Sequence, residues 1–296
     1  MDAAAYSTGF LKTEDDLKLF FRLWEPNPAS RATVVIVHGL GEHSGRYVHV
    51  GKFIGEAGFR AVAFDLRGHG RSSGRPVAIK RYGELAKDVE CVLNRFGSKR
   101  SFLFGHSLGG QLVLWAAQRL PLNLAGVISS APWLALAFPP PKWQVALAQK
   151  LNRRLPGLRF PTEIDKKTLS RDQAHLDSLE DLNRIHDFIT VRMFMEASNA
   201  ANEVIQAKEI PVPILMVHGG NDQVTSIDAT KWFFGNLKNS AKKLAIYPGL
   251  CHELHNEPER EKVLADYVAW MNEVLSEEPV REESGASVHE ESAHRS

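Results

Sequence analysis

Along most of the chain, short runs of β-branched and aromatic residues alternate with longer stretches in which apolar positions recur every three or four residues. The first pattern is that of strands and the second that of amphipathic helices. Residues 9–25 predict a hairpin: one arm over 10–13, a turn at Asp15-Asp16, and a second arm over 17–24 whose alternation puts one face on a core. Ala32-Thr33-Val34-Val35-Ile36-Val37 is continuously apolar, as expected of a strand buried on both faces of a parallel sheet. A helix over 50–57 and a strand over 60–64 follow. Leu85, Val89, Val92, Leu93 and Phe96 then mark an amphipathic helix over 81–96. Strands over 101–104 and 125–130 flank a helix over 111–117. Such alternation predicts repeated βαβ units in a mostly parallel sheet.

The rhythm stops between 133 and 209, where helical stretches are separated by Pro139-Pro140-Pro141, Pro156 and Pro161 and no strand is expected. It resumes after Pro211 and Pro213 with a strand over 214–217, a helix over 229–237, a strand over 244–247 and a helix over 259–275. The expected organisation is therefore a core over 1–132 and 210–276, a helical insertion over 133–209, and an acidic tail over 277–296. That tail carries too little apolar surface to offset its ordering entropy, so disorder is expected there. With 36 Lys+Arg against 35 Asp+Glu, the chain offers no global field to draw a nucleic acid. Two cysteines, Cys91 and Cys251, are too few for a disulfide framework and suit a reducing compartment. There is no basic-then-apolar leader and no apolar run of about 20 residues. A cytoplasmic protein is expected.

The chemistry centres on Gly105-His106-Ser107-Leu108-Gly109, a G-x-S-x-G pattern between a strand and a helix. That spacing serves a sharp turn presenting the serine hydroxyl at the top of a sheet, with glycines leaving room for neighbouring backbone. A serine needs a base, and the base an orienting acid, which in such sheets follow in the order Ser, Asp/Glu, His after later strands. Asp222 follows the strand at 214–217, with Asp228 as the alternative acid. His252 follows the strand at 244–247, with His255 as the alternative base. Both favoured residues fall at the carboxyl edge, where open α/β sheets bind ligands. The backbone N–H groups of Leu108 and of Leu40, in His38-Gly39-Leu40-Gly41, would stabilise an oxyanion. His252-Glu253-Leu254-His255 spaces its histidines one short of a zinc helix, so no metal site is expected.

Four stretches together resemble the monoacylglycerol lipase and lysophospholipase branch of the α/β-hydrolases over about residues 8–275. They are His38-Gly39-Leu40-Gly41-Glu42-His43-Ser44-Gly45-Arg46-Tyr47, the loop from 65 to 74, Gly105-His106-Ser107-Leu108-Gly109-Gly110 and Tyr247-Pro248-Gly249-Leu250-Cys251-His252. The resemblance implies an α/β-hydrolase fold: a mostly parallel eight-stranded sheet with helices on both faces and a helical cap. It implies a triad of Ser107, Asp222 and His252, oxyanion donors at Leu40 and Leu108, and no cofactor. It places Glu42 and Arg46 near a glycerol head group, against the plainer reading of an ion pair that fixes their loop. Leu40 and Leu108 are larger than their counterparts in the mammalian lipase, which bears on pocket shape. Leu169-Ser170-Arg171-Asp172 resembles a stretch found in the caps of bacterial relatives.

The implied substrate is a small lipid ester, with monoacylglycerol foremost and lysophospholipids or general carboxylic esters as alternatives. In the insertion, Trp143, Leu147, Leu151 and Leu155 share a helical face near Lys142, Lys150, Arg153 and Arg154. That helix either packs on the body with a solvated basic face or makes peripheral, reversible contact with a membrane. Two readings compete from other classes. Gly39, Gly41, Gly45 and Asp65 imitate a dinucleotide fingerprint, but the spacing is G-x-G-x-x-x-G and no Tyr-x-x-x-Lys pair occurs. A non-catalytic relative is disfavoured by the intact Ser, Asp and His set.

Overall fold

The computed structural model describes residues 6–26, 30–178 and 185–277. Eight strands form one sheet: β1 (Ser7–Lys12), β2 (Lys18–Trp24), β3 (Thr33–Val37), β4 (Arg60–Phe64), β5 (Ser101–His106), β6 (Gly126–Ser130), β9 (Ile214–Gly219) and β10 (Lys242–Tyr247). A short separate pair, β7 (Arg159–Pro161) and β8 (Phe188–Thr190), lies between β6 and β9 in the chain. The large sheet runs in the order β1-β2-β4-β3-β5-β6-β9-β10. Only β1/β2 and β2/β4 pair antiparallel; every other neighbour is parallel. This is the eight-stranded, mostly parallel architecture expected.

Helices cover both faces: α1 (Val48–Glu56), α2 (Gly83–Phe96), α3 (Leu108–Arg119), α7 (Ile227–Asn236) and α8 (Arg260–Glu277). The strand β3 shows why a continuous apolar run is required. Val35 and Val37 join a core cluster with Leu85 and Val89 of α2, Leu112 of α3 and Phe233 of α7. Val34 and Ile36 point the other way, to Val50 and Ile54 of α1 and to Val263, Leu264 and Tyr267 of α8. A strand with two dry faces has no polar side to alternate with. Burial of each such side chain contributes about 1.5–3 kcal/mol.

The chain order β3, β4, β5 against the spatial order β4-β3-β5 makes the loops after β3 and β5 diverge. A crevice at the carboxyl edge follows from that reversal. Between β6 and β9 lie α4 (Lys142–Arg154), α5 (Gln173–Ser178) and α6 (Val191–Gln206), besides the short strands. The expectation of no strand in 133–209 is therefore corrected by β7 and β8. At three residues each they are too short to carry an alternation, and Pro161 by itself signals a break. The helix expected over 111–117 begins earlier, at Leu108, because the turn at Ser107 leads straight into it.

The helix α6 packs into the main core through Met193, Ala197, Ala200 and Val204. Glu196 accepts from the backbone of Tyr82 (2.9 Å) and Glu203 from the indole of Trp115 (2.7 Å), so this part of 133–209 is fastened to the body. By contrast α4 buries only Ala148 and leaves Trp143 and Leu147 exposed. Of the two readings of the face with Trp143, Leu147, Leu151 and Leu155, packing on the body through it does not hold, because Trp143, Leu147 and Leu155 are exposed and residues four apart drift around a 3.6-residue turn. The inward side is Ala148 with partly buried Leu151, against Val191 and Met195. Residues 278–296 of the acidic tail lie outside the described residues.

Candidate active site

Ser107 occupies the turn between β5 and α3 with φ 55° and ψ −116°, a positive φ that side-chain-bearing residues adopt rarely. Tight backbone packing enforces it. A Cβ at Gly105 would stand 2.1 Å from the carbonyl oxygen of Gly109, and one at Gly109 would stand 2.2 Å from that of Val37. Only hydrogen side chains fit between β5, α3 and β3. The turn is pinned by hydrogen bonds from Ser107 N to Ser130 O (2.9 Å) and from Trp133 N and Gln111 N to Ser107 O (both 3.0 Å).

Asp222 stands in the turn after β9, and both of its oxygens are occupied. Oδ1 accepts from the backbone N–H groups of Val224 (2.7 Å) and Thr225 (3.0 Å). Oδ2 accepts from Nδ1 of His252 (2.8 Å), Oγ1 of Thr225 (2.9 Å) and Nε2 of His218 (3.0 Å). With Nδ1 of His252 committed to the carboxylate, Nε2 is left as the basic nitrogen. Burial works against charge on Asp222, but the imidazoles of His252 and His218 outweigh it and hold its carboxyl well below the usual range. Burial likewise opposes a proton on His252, yet the adjacent Asp222 wins and raises its pKa above the ordinary histidine value. Ser107 and His252 line the same cavity.

The alternatives lie elsewhere. Asp228 is exposed in the first turn of α7. His255 is fully buried, its ring stacked on Tyr47 at 4.7 Å and edge-on to His106 at 4.8 Å. Leu108 is the first residue of α3, so its N–H is among those that have no acceptor within the helix. Its side chain is fully buried and does not shape the cavity, whereas Leu40 lines it.

Glu42 and Arg46 also line the cavity, and both are buried. Glu42 Oε1 accepts from Gly39 N (2.6 Å) and from the hydroxyl of Tyr47 (2.8 Å), folding the loop after β3 back on itself. Arg46 bridges Glu42 (2.8 Å) and Glu253 (2.6 Å), so the local ion pair weighed from the sequence is present. Glu253 also accepts from Nε2 of His175 on α5 (3.0 Å), tying the segment between β6 and β9 to the residue beside His252. Burial opposes the charge of Glu253, but Arg46 overrides it and keeps the carboxyl ionised. Nothing in the sequence singled out Glu253, His175 or His218. His175 lies 129 and 78 positions from Arg46 and Glu253, its neighbours in space, whereas His218 is only four residues from Asp222, and neither spacing forms a recognisable motif.

The cavity encloses about 640 Å³, within the usual range for small-ligand pockets. Trp133, Leu136, Phe160, Ile189 and Phe194 give it apolar walls, and Ser107, His252, Glu42 and Arg46 form its polar end. Among the described residues no cluster of three or more His, Cys, Asp or Glu could hold a metal ion.

Comparison with known proteins agrees with this architecture. The chain is 30% identical over 255 residues to the human protein named monoglyceride lipase, covering 83% of this chain and 84% of that one. The crystal structure of a monoacylglycerol lipase from Paleococcus ferrophilus superposes with a TM-score of 0.78 at 31% identity, covering 91% of this chain and 99% of the other. An uncharacterised abhydrolase domain-containing protein of Dictyostelium discoideum is 30% identical over 95% of this chain, which spans 30% of that longer protein. The family model described as serine aminopeptidase, S33, matches residues 28–259. On these grounds the chain belongs to the S33 serine aminopeptidase family of α/β-hydrolases.

Proposed function

We propose that this protein is a serine hydrolase of lipid esters that cleaves monoacylglycerols to fatty acid and glycerol. The observation that carries the reading is a strained serine at the polar end of an apolar cavity that it shares with an Asp-paired histidine. The oxygen of Ser107 attacks the acyl carbonyl while Nε2 of His252 takes its proton, and Asp222 stabilises the imidazolium that forms. The N–H groups of Leu40 and Leu108 hold the developing oxyanion. The imidazolium then gives its proton to the leaving alcohol. Water, activated by the same nitrogen, releases the acid from the acyl-enzyme and restores the serine.

The apolar walls suit an acyl chain, and Glu42 and Arg46 stand where the glycerol head would lie. The segment 133–209 acts as the cap over the serine. Names borne by relatives at about 30% identity point to the same substrate class. An assay against monoacylglycerols of several chain lengths, lysophospholipids and short esters is expected to give the highest kcat/KM for a monoacylglycerol. A lysophospholipid or short ester ranking first would replace the substrate class and leave the hydrolase reading intact.

The cap also offers a surface for reaching lipid. Phe138 is 77% exposed and Ile164 43% exposed, and both line the cavity as well, so its mouth has an apolar rim. Trp143, at 65%, and Leu147 lie nearby in sequence among exposed Lys142, Lys150, Arg153 and Arg154. Aromatic and cationic residues side by side suit peripheral contact with anionic lipid. Among the described residues no helix is long and apolar enough to cross a membrane. Flotation with phosphatidylserine-containing vesicles should recover the protein, and Trp143→Glu/Leu147→Glu should lower partitioning about tenfold. Equal recovery of the double variant, or no flotation at any anionic lipid content, removes the membrane contact.

A further inference from the structure

His218 is the last residue but one of β9, fully buried, and has no place in the steps above. Its surroundings specify one orientation. Nδ1 lies 3.0 Å from Oγ1 of Thr230 on α7, and Nε2 lies 3.0 Å from Oδ2 of Asp222 and 3.3 Å from the carbonyl of Thr225. With the Thr230 hydroxyl donating to Nδ1, the ring proton sits on Nε2 and points at the acid. Oδ2 is thus shared between two imidazoles, of which only His252 faces the cavity.

The carboxylate does not need His218 for its orientation, since Oδ1 is held by two backbone N–H groups and Oδ2 by Thr225. What the second imidazole adds is competition for charge on Oδ2. A donor on a carboxylate oxygen spreads its negative charge and weakens the other bonds that oxygen makes. The groups facing His252 are Asp222 and, further off, Glu253 and Glu42, all of which favour its proton. The neighbouring ring of His106, 4.6 Å away, opposes it. Among these influences the Asp222 contact is the one that His218 can moderate.

We propose that His218 is a positioning residue that acts through Asp222: its Nε2–H draws charge from the oxygen on which His252 leans, and so lowers the pH above which the base is free to accept the serine's proton. Thr230 takes part by fixing the ring proton on Nε2. The inference rests on the triad reading given above and extends it by one residue on β9 and one on α7.

The test is the acid limb of kcat/KM for hydrolysis of a monoacylglycerol, measured on the full chain. His218→Leu keeps bulk and removes the donor, and its limb is expected to move up by about half a pH unit to one unit. At pH above the limb its rate should stay within about threefold of the parent. His218→Gln, whose Nε2 reaches the same region, should return the limb to the parent position. Thr230→Val should move it upward by less. A folded His218→Leu with the limb unmoved or displaced downward overturns the proposal, as does a His218→Gln limb matching that of His218→Leu. If His218→Leu does not fold, a Thr230→Val limb equal to the parent's overturns it equally. Failure of the underlying reading is distinguishable, because the parent protein would then show no ester hydrolysis that Ser107→Ala abolishes.

Discussion

Ser107→Ala is expected to reduce ester turnover by about 10⁴-fold or more, to the level left by binding and oxyanion donors alone. The magnitude is large because the substitution deletes the atom proposed to form the acyl-enzyme, and no neighbouring nucleophile occupies the turn. The fold should be unaffected. The turn is held by backbone hydrogen bonds and by the close approach of Gly105 and Gly109, none of which uses the serine side chain. Thermal unfolding should therefore superimpose on that of the parent while hydrolysis disappears. A variant that keeps its esterase rate would remove Ser107 from the mechanism. It would send the search back to the other polar groups lining the cavity.

The second large effect is acid lability. His38, His69, His106 and His255 are at most 2% exposed. Burial pushes His38 down to about 4 and His69 down to about 3, and holds His106 and His255 well below the ordinary value. In the unfolded chain each accepts a proton near pH 6.5. Below that value the unfolded state binds more protons than the folded one, so stability falls with pH, by about 1.4 kcal/mol per unit for each group. The loss begins at the unfolded value and continues until each folded value is reached. His38 and His69 alone give about 4 kcal/mol between pH 6.5 and 5, a large share of the stability of an ordinary domain, and His106 and His255 act in the same direction. The carboxyls of Asp222 and Glu253, shifted downward, add to the loss only at still lower pH, below about 4. His252 is shifted upward, so its contribution is fully present below the unfolded value and does not enter the acid limb.

Cooperative unfolding followed by tryptophan fluorescence is therefore expected between about pH 5.5 and 4. His255→Phe isolates the cause. Among the described residues both ring nitrogens of His255 lack a hydrogen-bond partner, and the ring stacks on Tyr47, so phenylalanine keeps the packing and removes the proton site. Its acid midpoint should lie lower than the parent's. A midpoint unchanged or raised would assign the acid transition to other groups.

The strands of this protein were legible in its sequence wherever burial forces a pattern. The continuous run at Val34–Val37 and the strand-turn-helix around Ser107 could be read because a two-faced strand admits no polar alternation. Likewise, a sharp turn against β3 admits no Cβ at Gly105 or Gly109. The order Ser107, Asp222, His252 was equally readable, because each follows a recognisable strand and loops after parallel strands gather at one edge. What the sequence did not contain was any relation weaker than a repeat or longer than a loop. The pairing of β7 with β8 depends on contact between two three-residue segments with no periodicity of their own. The bridge from His175 through Glu253 to Arg46 joins residues whose local surroundings say nothing of one another, and the contact of His218 with Asp222, four positions on, follows no motif. Local patterns report which face of an element is dry. Only the packed chain decides which buried charges share a bond, because that choice is made by distance in space and by exclusion of water.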